Sequence, residues 1–246
     1  MGVTVMTAPR FHSWALTHPG TKRSHNEDSF VDRPDVGLWA VADGAGGHAA
    51  GEVASGMIAD ALEAIPAGLP ASELLAQVRL AIERTHLALR EEAARRGPDV
   101  VVASTVVVML ARGDHFACLW AGDSRAYLLR AGVLRQITRD HSLVQELLDA
   151  GAIGPDEAIN HPRGNVITRA VGAEVDDFVL DKVSDRLVAG DRFLLCSDGL
   201  CKTVPEDQLA ELLAAPNGMS PSESLLEAAL ALQVKDNVTA VAVEAI

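Results

Sequence analysis

Blocks of strand-like and helix-like sequence follow one another along the chain, and their order constrains the fold more than any other feature. Short or alternating apolar runs bounded by turns predict strands at 11–17, 29–32, 36–42, 103–111, 115–121, 125–130, 133–137, 178–183, 191–197 and 238–244. Helical spacing predicts helices at 50–64, 71–96, 142–150, 205–214 and 221–232. Because strands and helices come in blocks, we expect an α+β fold: a central antiparallel β-sandwich flanked by pairs of antiparallel helices, in four α-β-β-α layers.

No glycine-, serine- or proline-rich linker divides the 246 residues, and the sequence contains no internal repeat. We therefore expect one domain that covers residues 1–246. The segment 140–172 differs from the rest, because a short amphipathic helix is followed by turns and polar residues. This pattern predicts a mobile, flap-like segment beside a rigid core, where substrate contacts are common; a plain surface loop explains it equally well.

The charge and the longest apolar stretch argue against two classes of partner. A chain with a formal net charge of −13 lacks the basic surface that nucleic-acid binding requires. The longest apolar stretch, 100–111, is interrupted by Ser104 and Thr105 and is far shorter than the roughly 20 residues that span a bilayer. We expect a monomer with neither a nucleic-acid partner nor a membrane partner.

The cysteines and the N-terminal sequence indicate a cellular compartment. Cys118 and Cys196 lie inside apolar runs, and with Cys201 they form no zinc-binding spacing. We expect all three thiols to be reduced, which favours the cytosol. The first 11 residues lack the apolar core of a signal peptide, so we expect a cytoplasmic protein.

Four aspartates lie where an apolar strand meets a turn. Asp43, Asp123 and Asp198 end such runs and Asp236 begins one, so all four can gather at one rim of the sandwich. Two carboxylates about 5 Å apart repel by about 3 kcal/mol at an effective dielectric near 20, so a cluster requires protonation or a cation. All-oxygen ligands suit Mg²⁺ or Mn²⁺ better than Zn²⁺. The sequence therefore predicts a metal site at this rim.

Eight short motifs occur along the chain in a defined order. They are Arg23-Ser-His-Asn-Glu-Asp28, Asp43-Gly-Ala-Gly-Gly47, Ser104-Thr105, Ala121-Gly-Asp-Ser-Arg125, Asp140-His141, Thr168-Arg-Ala-Val-Gly172, Ser197-Asp-Gly-Leu200 and Asp236-Asn-Val-Thr239. This ordered set resembles the protein phosphatase 2C (PPM) family of metal-dependent serine/threonine phosphatases, in its bacterial form. The resemblance extends from about residue 12 to residue 244. One such motif would be weak evidence, whereas eight in the right order are strong.

The resemblance implies a role for three of the aspartates. It implies that phosphoserine and phosphothreonine are hydrolysed by a hydroxide that bridges two divalent ions, Mn²⁺ or Mg²⁺. Asp43 would contact both ions, and Asp198 and Asp236 would complete one of them. The Gly44 carbonyl, with waters, would serve the other ion, since glycine lets the backbone approach closely. The structural alternative for these aspartates is a capping role in turns.

The same resemblance gives roles to four residues around the ions. Arg23 would hold the substrate phosphate, because a guanidinium matches two phosphate oxygens at once. A surface ion pair with Glu27 is the structural alternative for Arg23. Glu27, Asp28 and Asn237 would act around the ions by orienting ligands and waters.

Asp123 is the candidate ligand of a third, weaker ion, as in bacterial relatives. The family usually has a further aspartate four residues after Asp198, but Lys202 stands there in this chain. A lysine ammonium can take the space of a cation or pair with Asp123, so we do not expect a full third-ion site. The structural alternative is a turn in which Arg125 anchors Asp123.

The general acid is a second departure from the family pattern. Ala45 stands where many eukaryotic relatives have histidine. The leaving group must then take its proton from a metal-bound water or need none. We expect His48 to be a structural or capping residue. His25, His141 and His161 are candidates for substrate contacts, with plain solvent exposure as the alternative.

We expect a phosphatase that acts on a phosphorylated protein, such as a serine/threonine kinase or its target. The alternative is a catalytically weak or inactive module that binds a phosphorylated regulatory partner. Lys202 favours this alternative, and the presence of Arg23 with three of the aspartates argues against it. A two-metal nuclease is disfavoured by the net charge of −13.

Overall fold

The computed structural model describes residues 11–46, 50–159, 161–173, 178–214 and 218–246. Within these ranges the strands are β1 (Phe11–His18), β2 (Asp28–Arg33), β3 (Leu38–Ala45), β4 (Ala103–Ser104), β5 (Val106–Arg112), β6 (His115–Ala121), β7 (Arg125–Arg130), β8 (Val133–Gln136), β9 (Asp181–Arg186), β10 (Arg192–Cys196) and β11 (Val238–Ala245). The helices are α1 (Ala50–Glu63), α2 (Ala71–Arg96), α3 (Leu143–Asp149), α4 (Pro155–Ile159), α5 (Asp198–Cys201), α6 (Glu206–Ala214) and α7 (Pro221–Ala231).

The strands form two antiparallel sheets. The first sheet has the order β1-β11-β10-β7-β8, and the second has the order β2-β3-β5-β6-β9, with β4 paired to the end of β3. Successive side chains of β3 alternate between two cores, because side chains of a strand point to opposite faces. Leu38 and Ala40 pack among the residues of α1 and α2, whereas Trp39 and Val41 pack among residues of the first sheet.

Three apolar cores separate four layers. The core between the sheets contains Phe116 and Phe193, whose rings meet edge to face at 4.8 Å. Outside the second sheet, α1 and α2 contribute buried residues such as Ile58 and Ile82. Outside the first sheet, α6 and α7 pack on it through residues such as Leu225. The predicted α+β sandwich with helices on both sides is confirmed.

The five predicted helices begin and end within one residue of the observed ones. The signals at their ends are present in the structure: α7 has Pro221 in its first turn and a capping box formed by Ser220 and Glu223. The helices α4 and α5 were not predicted, because each is too short for a helical repeat of apolar residues to be visible in its sequence. In the described ranges, no helix is both long and apolar enough to cross a membrane.

Two strand predictions were wrong in detail. The run 103–111 is divided at Thr105, because the Asp43 N–H donates to the Thr105 hydroxyl, 3.1 Å, rather than continuing the regular ladder. The strand predicted at 178–183 lies at Asp181–Arg186 instead, where it pairs with β6. Phe178 stays outside the strand and stacks on the ring of His86, with the ring centroids 4.3 Å apart.

The sheet topology brings the four aspartates to one rim. In the second sheet, β3 and β6 are both antiparallel to β5, so the C-terminal ends of both strands lie at the same edge, near Asp43 and Asp123. In the first sheet, β10 is antiparallel to β11, so the end of β10 at Asp198 lies beside the start of β11 at Asp236. The predicted gathering of strand ends therefore follows from the strand directions.

Candidate metal centre and active site

Asp43 is held by its backbone. Its carbonyl accepts hydrogen bonds from the Thr105 N–H and the Ser104 hydroxyl, both at 2.9 Å, and its N–H donates to the Thr105 hydroxyl. Burial raises the pKa of the Asp43 carboxyl well above its ordinary value, and the nearby carboxylates, Asp28 first among them, raise it further. A cluster of like charges around a rigidly held carboxylate favours a bound cation.

Asp28 faces Asp43 across the β2–β3 pair and is buried. Its Oδ2 accepts hydrogen bonds from the hydroxyls of Ser197 and Thr239, both at 2.7 Å, whereas its Oδ1 is buried with no hydrogen-bond partner. Burial raises the pKa of Asp28 to about 7, although the two hydroxyl hydrogen bonds oppose this shift. Asp28 thus joins β2 to the end of β10 and the start of β11, and it keeps one carboxylate oxygen unpaired.

Asn237 organises the loop that carries Arg23 and Glu27. Its side-chain oxygen accepts from the Glu27 N–H at 2.8 Å, and its amide donates to the carbonyls of Pro19 and His25 at 3.1 and 2.9 Å. These contacts are all to main-chain groups, so Asn237 acts through the loop rather than by reaching into the centre. The role that the resemblance implied for Asn237, orienting groups around the ions, stays a prediction.

Gly44 lies where two other chain segments come very close. A Cβ on this residue would stand 2.1 Å from the Gly51 carbonyl oxygen and 2.6 Å from that of Glu27. Its N–H donates to the Glu27 carbonyl at 3.1 Å. Only glycine fits this position, which explains the residue type at the end of β3.

One cavity of about 760 Å³ brings most of the predicted site together. Seven of the predicted residues line it: Arg23, His25, Glu27, Asp43, Gly44, Asp198 and Asp236. Asn165 and Ile167 of the segment 140–172 also line it, and the sequence did not single them out. Asp28 and Asn237 do not line this cavity, and Asp123 lines a neighbouring one instead.

Arg23 and Asp236 form an ion pair at the cavity. Arg23 Nη2 lies 2.8 Å from Asp236 Oδ2, and both side chains are about half exposed, at 54% and 47%. The hydrogen bond to Asp236 raises the pKa of the guanidinium above its ordinary value. The structural alternative from the sequence, a pair with Glu27, is wrong in partner, since Arg23 contacts Asp236.

Lys202 joins Asp123 to Asp198. Its Nζ lies 2.9 Å from Asp123 Oδ2 and 2.8 Å from Asp198 Oδ2. Burial lowers the pKa of Lys202, but the two carboxylates outweigh burial and leave the pKa above its ordinary value. The expectation that Lys202 pairs with Asp123 therefore agrees with the geometry. Arg125 does not anchor Asp123, because its guanidinium binds Asp140 in a bidentate contact instead.

The donor set fits a hard divalent cation. Asp43, Asp198, Asp236 and the Gly44 carbonyl offer oxygen atoms alone, the kind of ligand that Mg²⁺ and Mn²⁺ take. The unpaired Oδ1 of Asp28 and the carboxylates that surround the buried Asp43 also favour a cation at this place. Among the described residues, however, no three His, Cys, Asp or Glu side chains already form a ready cluster of ligands. Side-chain adjustment would accompany ion binding, since Arg23 now holds the Asp236 carboxylate.

The four histidine predictions have different outcomes. His25 lines the cavity, and its carbonyl accepts from Asn237. His141 is mostly buried: its Nδ1 accepts from the Gly122 N–H at 3.1 Å and its Nε2 lies 3.2 Å from Asp181 Oδ2. His161 lines a neighbouring cavity beside α3 and α4. His48 lies outside the described residues.

Comparison with known sequences gives two findings. The profile of the family described as "Protein phosphatase 2C" matches residues 20–232. The curated "Serine/threonine protein phosphatase PstP" of Mycobacterium tuberculosis is 39% identical over 234 residues, which are 94% of this chain. The chain spans 44% of the length of that relative.

Comparison with solved structures agrees with the comparison of sequences. The structure titled "PppA, a key regulatory component of T6SS in Pseudomonas aeruginosa" is 42% identical, with a TM-score of 0.89, and the match covers 98% of this chain and 100% of that one. The catalytic domain of the phosphatase PstP "in complex with 2 Manganese ions" is 37% identical, with a TM-score of 0.86 and coverage of 98% and 100%.

Proposed function

Because this chain belongs to the protein phosphatase 2C family of bacterial serine/threonine phosphatases, we propose that it removes phosphate from phosphoserine and phosphothreonine in proteins, with two Mn²⁺ or Mg²⁺ ions as cofactors. The observation that carries this proposal is a single cavity in which Arg23 stands beside Asp43, Asp198 and Asp236. An anion-binding guanidinium next to clustered carboxylates is what phosphoryl transfer requires of a protein.

The ions would be held by the carboxylates of Asp43, Asp198 and Asp236 and by the Gly44 carbonyl. When bound, they supply an activated water and neutralise charge on the phosphoryl oxygens. The chain's own contribution is a fixed framework: Ser104 and Thr105 hold the backbone of Asp43 through three hydrogen bonds. Such support keeps a ligand within a narrow range of positions.

Arg23 would bind the substrate phosphate by leaving Asp236. The pair is about half exposed on both sides, and exposed ion pairs contribute only about 0–1 kcal/mol, so it opens at little cost. The exchange frees Asp236 for an ion while the guanidinium turns to phosphate oxygens. One movement would therefore prepare both the metal side and the substrate side of the cavity.

The substrate would be a phosphorylated protein, for example a serine/threonine kinase or its target. Asn165 and Ile167 place the segment 140–172 at the cavity, which supports a role for this segment in substrate contact. The buried thiols of Cys118 and Cys196 support action in the cytosol, where they stay reduced. We propose a monomer whose residues 1–246 form one domain.

The test is a metal-depletion experiment on a phosphothreonine peptide. Protein treated with EDTA and desalted should release no phosphate above the rate of the Asp43→Asn variant, and added Mn²⁺ should restore release. Asp35→Asn is the matched control, because Asp35 lies in the exposed turn between β2 and β3. Full activity in the presence of chelator would contradict the metal-dependent mechanism.

A binding module without catalysis is the second candidate. The observation in its favour is that Arg23 and Lys202 already occupy two of the expected metal-ligating carboxylates. Under this function, the phosphopeptide would bind with the same affinity with and without Mn²⁺, and phosphate release with saturating Mn²⁺ would equal that of Asp43→Asn. Cleavage of single-stranded DNA or RNA without phosphopeptide activity would instead support a nuclease.

A further inference from the structure

Lys202 occupies the space between two carboxylates that belong to different sheets. Asp123 follows β6 of the second sheet and Asp198 follows β10 of the first. The Lys202 ammonium lies 2.9 Å from one and 2.8 Å from the other, and it also reaches Asn165 Oδ1 at 3.4 Å. An ammonium has three N–H donors, and three oxygen atoms surround this one.

We propose that Lys202 is a built-in cation that fills the position between Asp123 and Asp198, so that the protein binds two divalent ions and no third. This inference rests on the proposed function, because it concerns the ions of the same centre. Lys202 acts through its neighbours, as a positioning residue, and does not contact the substrate phosphate.

The burial of Asp123 favours a positive charge beside it. The Asp123 side chain is 2% exposed, and an isolated carboxylate at such a position requires a compensating positive charge. The structure provides this charge from the chain itself. A divalent ion at the same place would have to displace an ammonium that is covalently tethered and already hydrogen-bonded to the carboxylate.

The helical turn of α5 brings Lys202 close to Asp198. Lys202 stands four residues after Asp198, so that both side chains lie on the same face of one helical turn. The backbone reinforces this turn, because the Lys202 N–H donates to the Asp198 carbonyl at 2.8 Å. The formed turn therefore keeps the two side chains within reach of each other.

The two carboxylate oxygens of Asp198 face different partners. Lys202 takes Oδ2, which leaves Oδ1 for an ion in the cavity. Lys202 would thereby fix the orientation of the Asp198 carboxylate toward the metal centre. Through Asn165 it also connects this carboxylate to the segment 140–172, the part of the chain proposed to contact the substrate.

The test is to count bound Mn²⁺ without measuring activity. Free Mn²⁺ gives a strong electron paramagnetic resonance signal that is lost on binding, so a titration gives the stoichiometry directly. We expect two ions for the wild type and three for Lys202→Asp, which replaces the ammonium with a further carboxylate. Lys202→Met, which keeps the length of the side chain without its charge, should also take a third ion, with weaker affinity than Lys202→Asp. Lys182→Met, on the exposed side of β9, should bind two ions like the wild type.

The outcomes separate this inference from the proposed function. A wild type that binds three ions, or variants that both bind two, would overturn the role of Lys202 and leave the phosphatase proposal intact. A wild type that binds no Mn²⁺ would overturn the proposed function itself. If Lys202→Asp does not fold, as judged by its circular dichroism, Lys202→Met alone decides the question.

Discussion

Two cation–carboxylate contacts at the candidate metal centre have nearly the same length but different surroundings. Arg23 meets Asp236 at 2.8 Å with both side chains about half exposed. Lys202 meets Asp123 at 2.9 Å where the carboxylate is 2% exposed and the lysine 33%. Water screens the outer pair and can replace either partner, whereas the inner carboxylate has few alternatives. The outer contact is therefore suited to exchange with a ligand, and the inner one to permanent charge compensation.

Both contacts flank the candidate metal centre, and a substitution at Asp43 tests whether catalysis takes place there. Asp43 takes part in neither contact, yet it lines the cavity and interacts with Asp123, Asp198 and Asp236. We expect Asp43→Asn to lower kcat for a phosphothreonine peptide roughly 10³-fold, because the ions would lose the carboxylate that Asp43 is proposed to supply. The measurement is phosphate release at saturating Mn²⁺. A loss below tenfold would show that the centre lies elsewhere.

The contrast in burial predicts different costs of removing each cation. Lys202→Met should lower the free energy of unfolding by about 2 kcal/mol in EDTA, because it leaves Asp123 buried without compensation. Arg23→Met should lower it by no more than about 0.5 kcal/mol, as expected for an exposed pair. Urea unfolding of both variants in the same buffer measures the difference. Equal losses would mean that burial does not distinguish the two contacts.

Saturating Mn²⁺ sharpens this prediction. If an ion takes the place of the ammonium in Lys202→Met, the unfolding deficit of this variant should shrink when Mn²⁺ is added, beyond the stabilisation that the wild type gains. Arg23→Met can regain no more than about 0.5 kcal/mol, because the exposed pair that it lacks is the one that ion binding is proposed to open. A deficit that is unchanged by Mn²⁺ would indicate that Asp123 is compensated by its own protonation.

The outer contact should show its role in kinetics rather than in stability. Arg23→Met should lower kcat/KM for the phosphopeptide about 10- to 100-fold, mainly through KM, because charge-assisted hydrogen bonds to the phosphate are worth about 1.5–3 kcal/mol. Lys22→Met removes a neighbouring charge and should change kcat/KM less than threefold, a shift of about 0.6 kcal/mol at most. An unchanged KM in Arg23→Met would remove Arg23 from substrate binding.

The two contacts also differ in how far the sequence could predict them. The layers and the gathering of the aspartates follow from strand ends, which the pattern of apolar runs reveals. The contact between Lys202 and Asp123 was one of two interpretations of the sequence. The family pattern gives the position of Lys202 along the chain but not its distance from Asp123. The contact of Arg23 with Asp236 was missed, since it joins residues 213 positions apart through two loops. Loop conformations depend on the packed sandwich and leave no periodic signal.

Side chains that replace backbone groups were the least predictable. Thr105 uses its hydroxyl to accept the Asp43 N–H and divides what the sequence presents as one continuous apolar strand. Arg125 lies next to the Asp123 turn but binds Asp140, because the segment that follows β8 brings that carboxylate within reach. Asn165 enters the cavity from a segment whose polarity gave no reason to prefer one residue over another. In each case the partner is chosen by tertiary structure rather than by local sequence.

The smallest expected effect concerns His141, which supports the turn that carries Asp123. His141 accepts the N–H of Gly122, the residue before Asp123, and its Nε2 faces Asp181 and Arg169. Burial lowers the pKa of His141; the Asp181 carboxylate opposes this shift and Arg169 adds to it. Since the folded state prefers the neutral ring, His141 stabilises the protein above its ordinary pKa near 6.5, and this contribution is lost as the pH falls below that value.

His141→Gln tests this dependence, because a glutamine side chain can still accept the Gly122 N–H but does not titrate. We expect the wild type to lose more unfolding free energy than His141→Gln between pH 7.5 and 5.5, by no more than about 1 kcal/mol, while the exposed His115→Gln behaves like the wild type. The subtraction removes the buried carboxyls Asp28 and Asp43, which titrate in all three proteins. If the unfolding free energies of the wild type and His141→Gln change in parallel with pH, protonation of His141 does not affect the stability of the structure around Asp123.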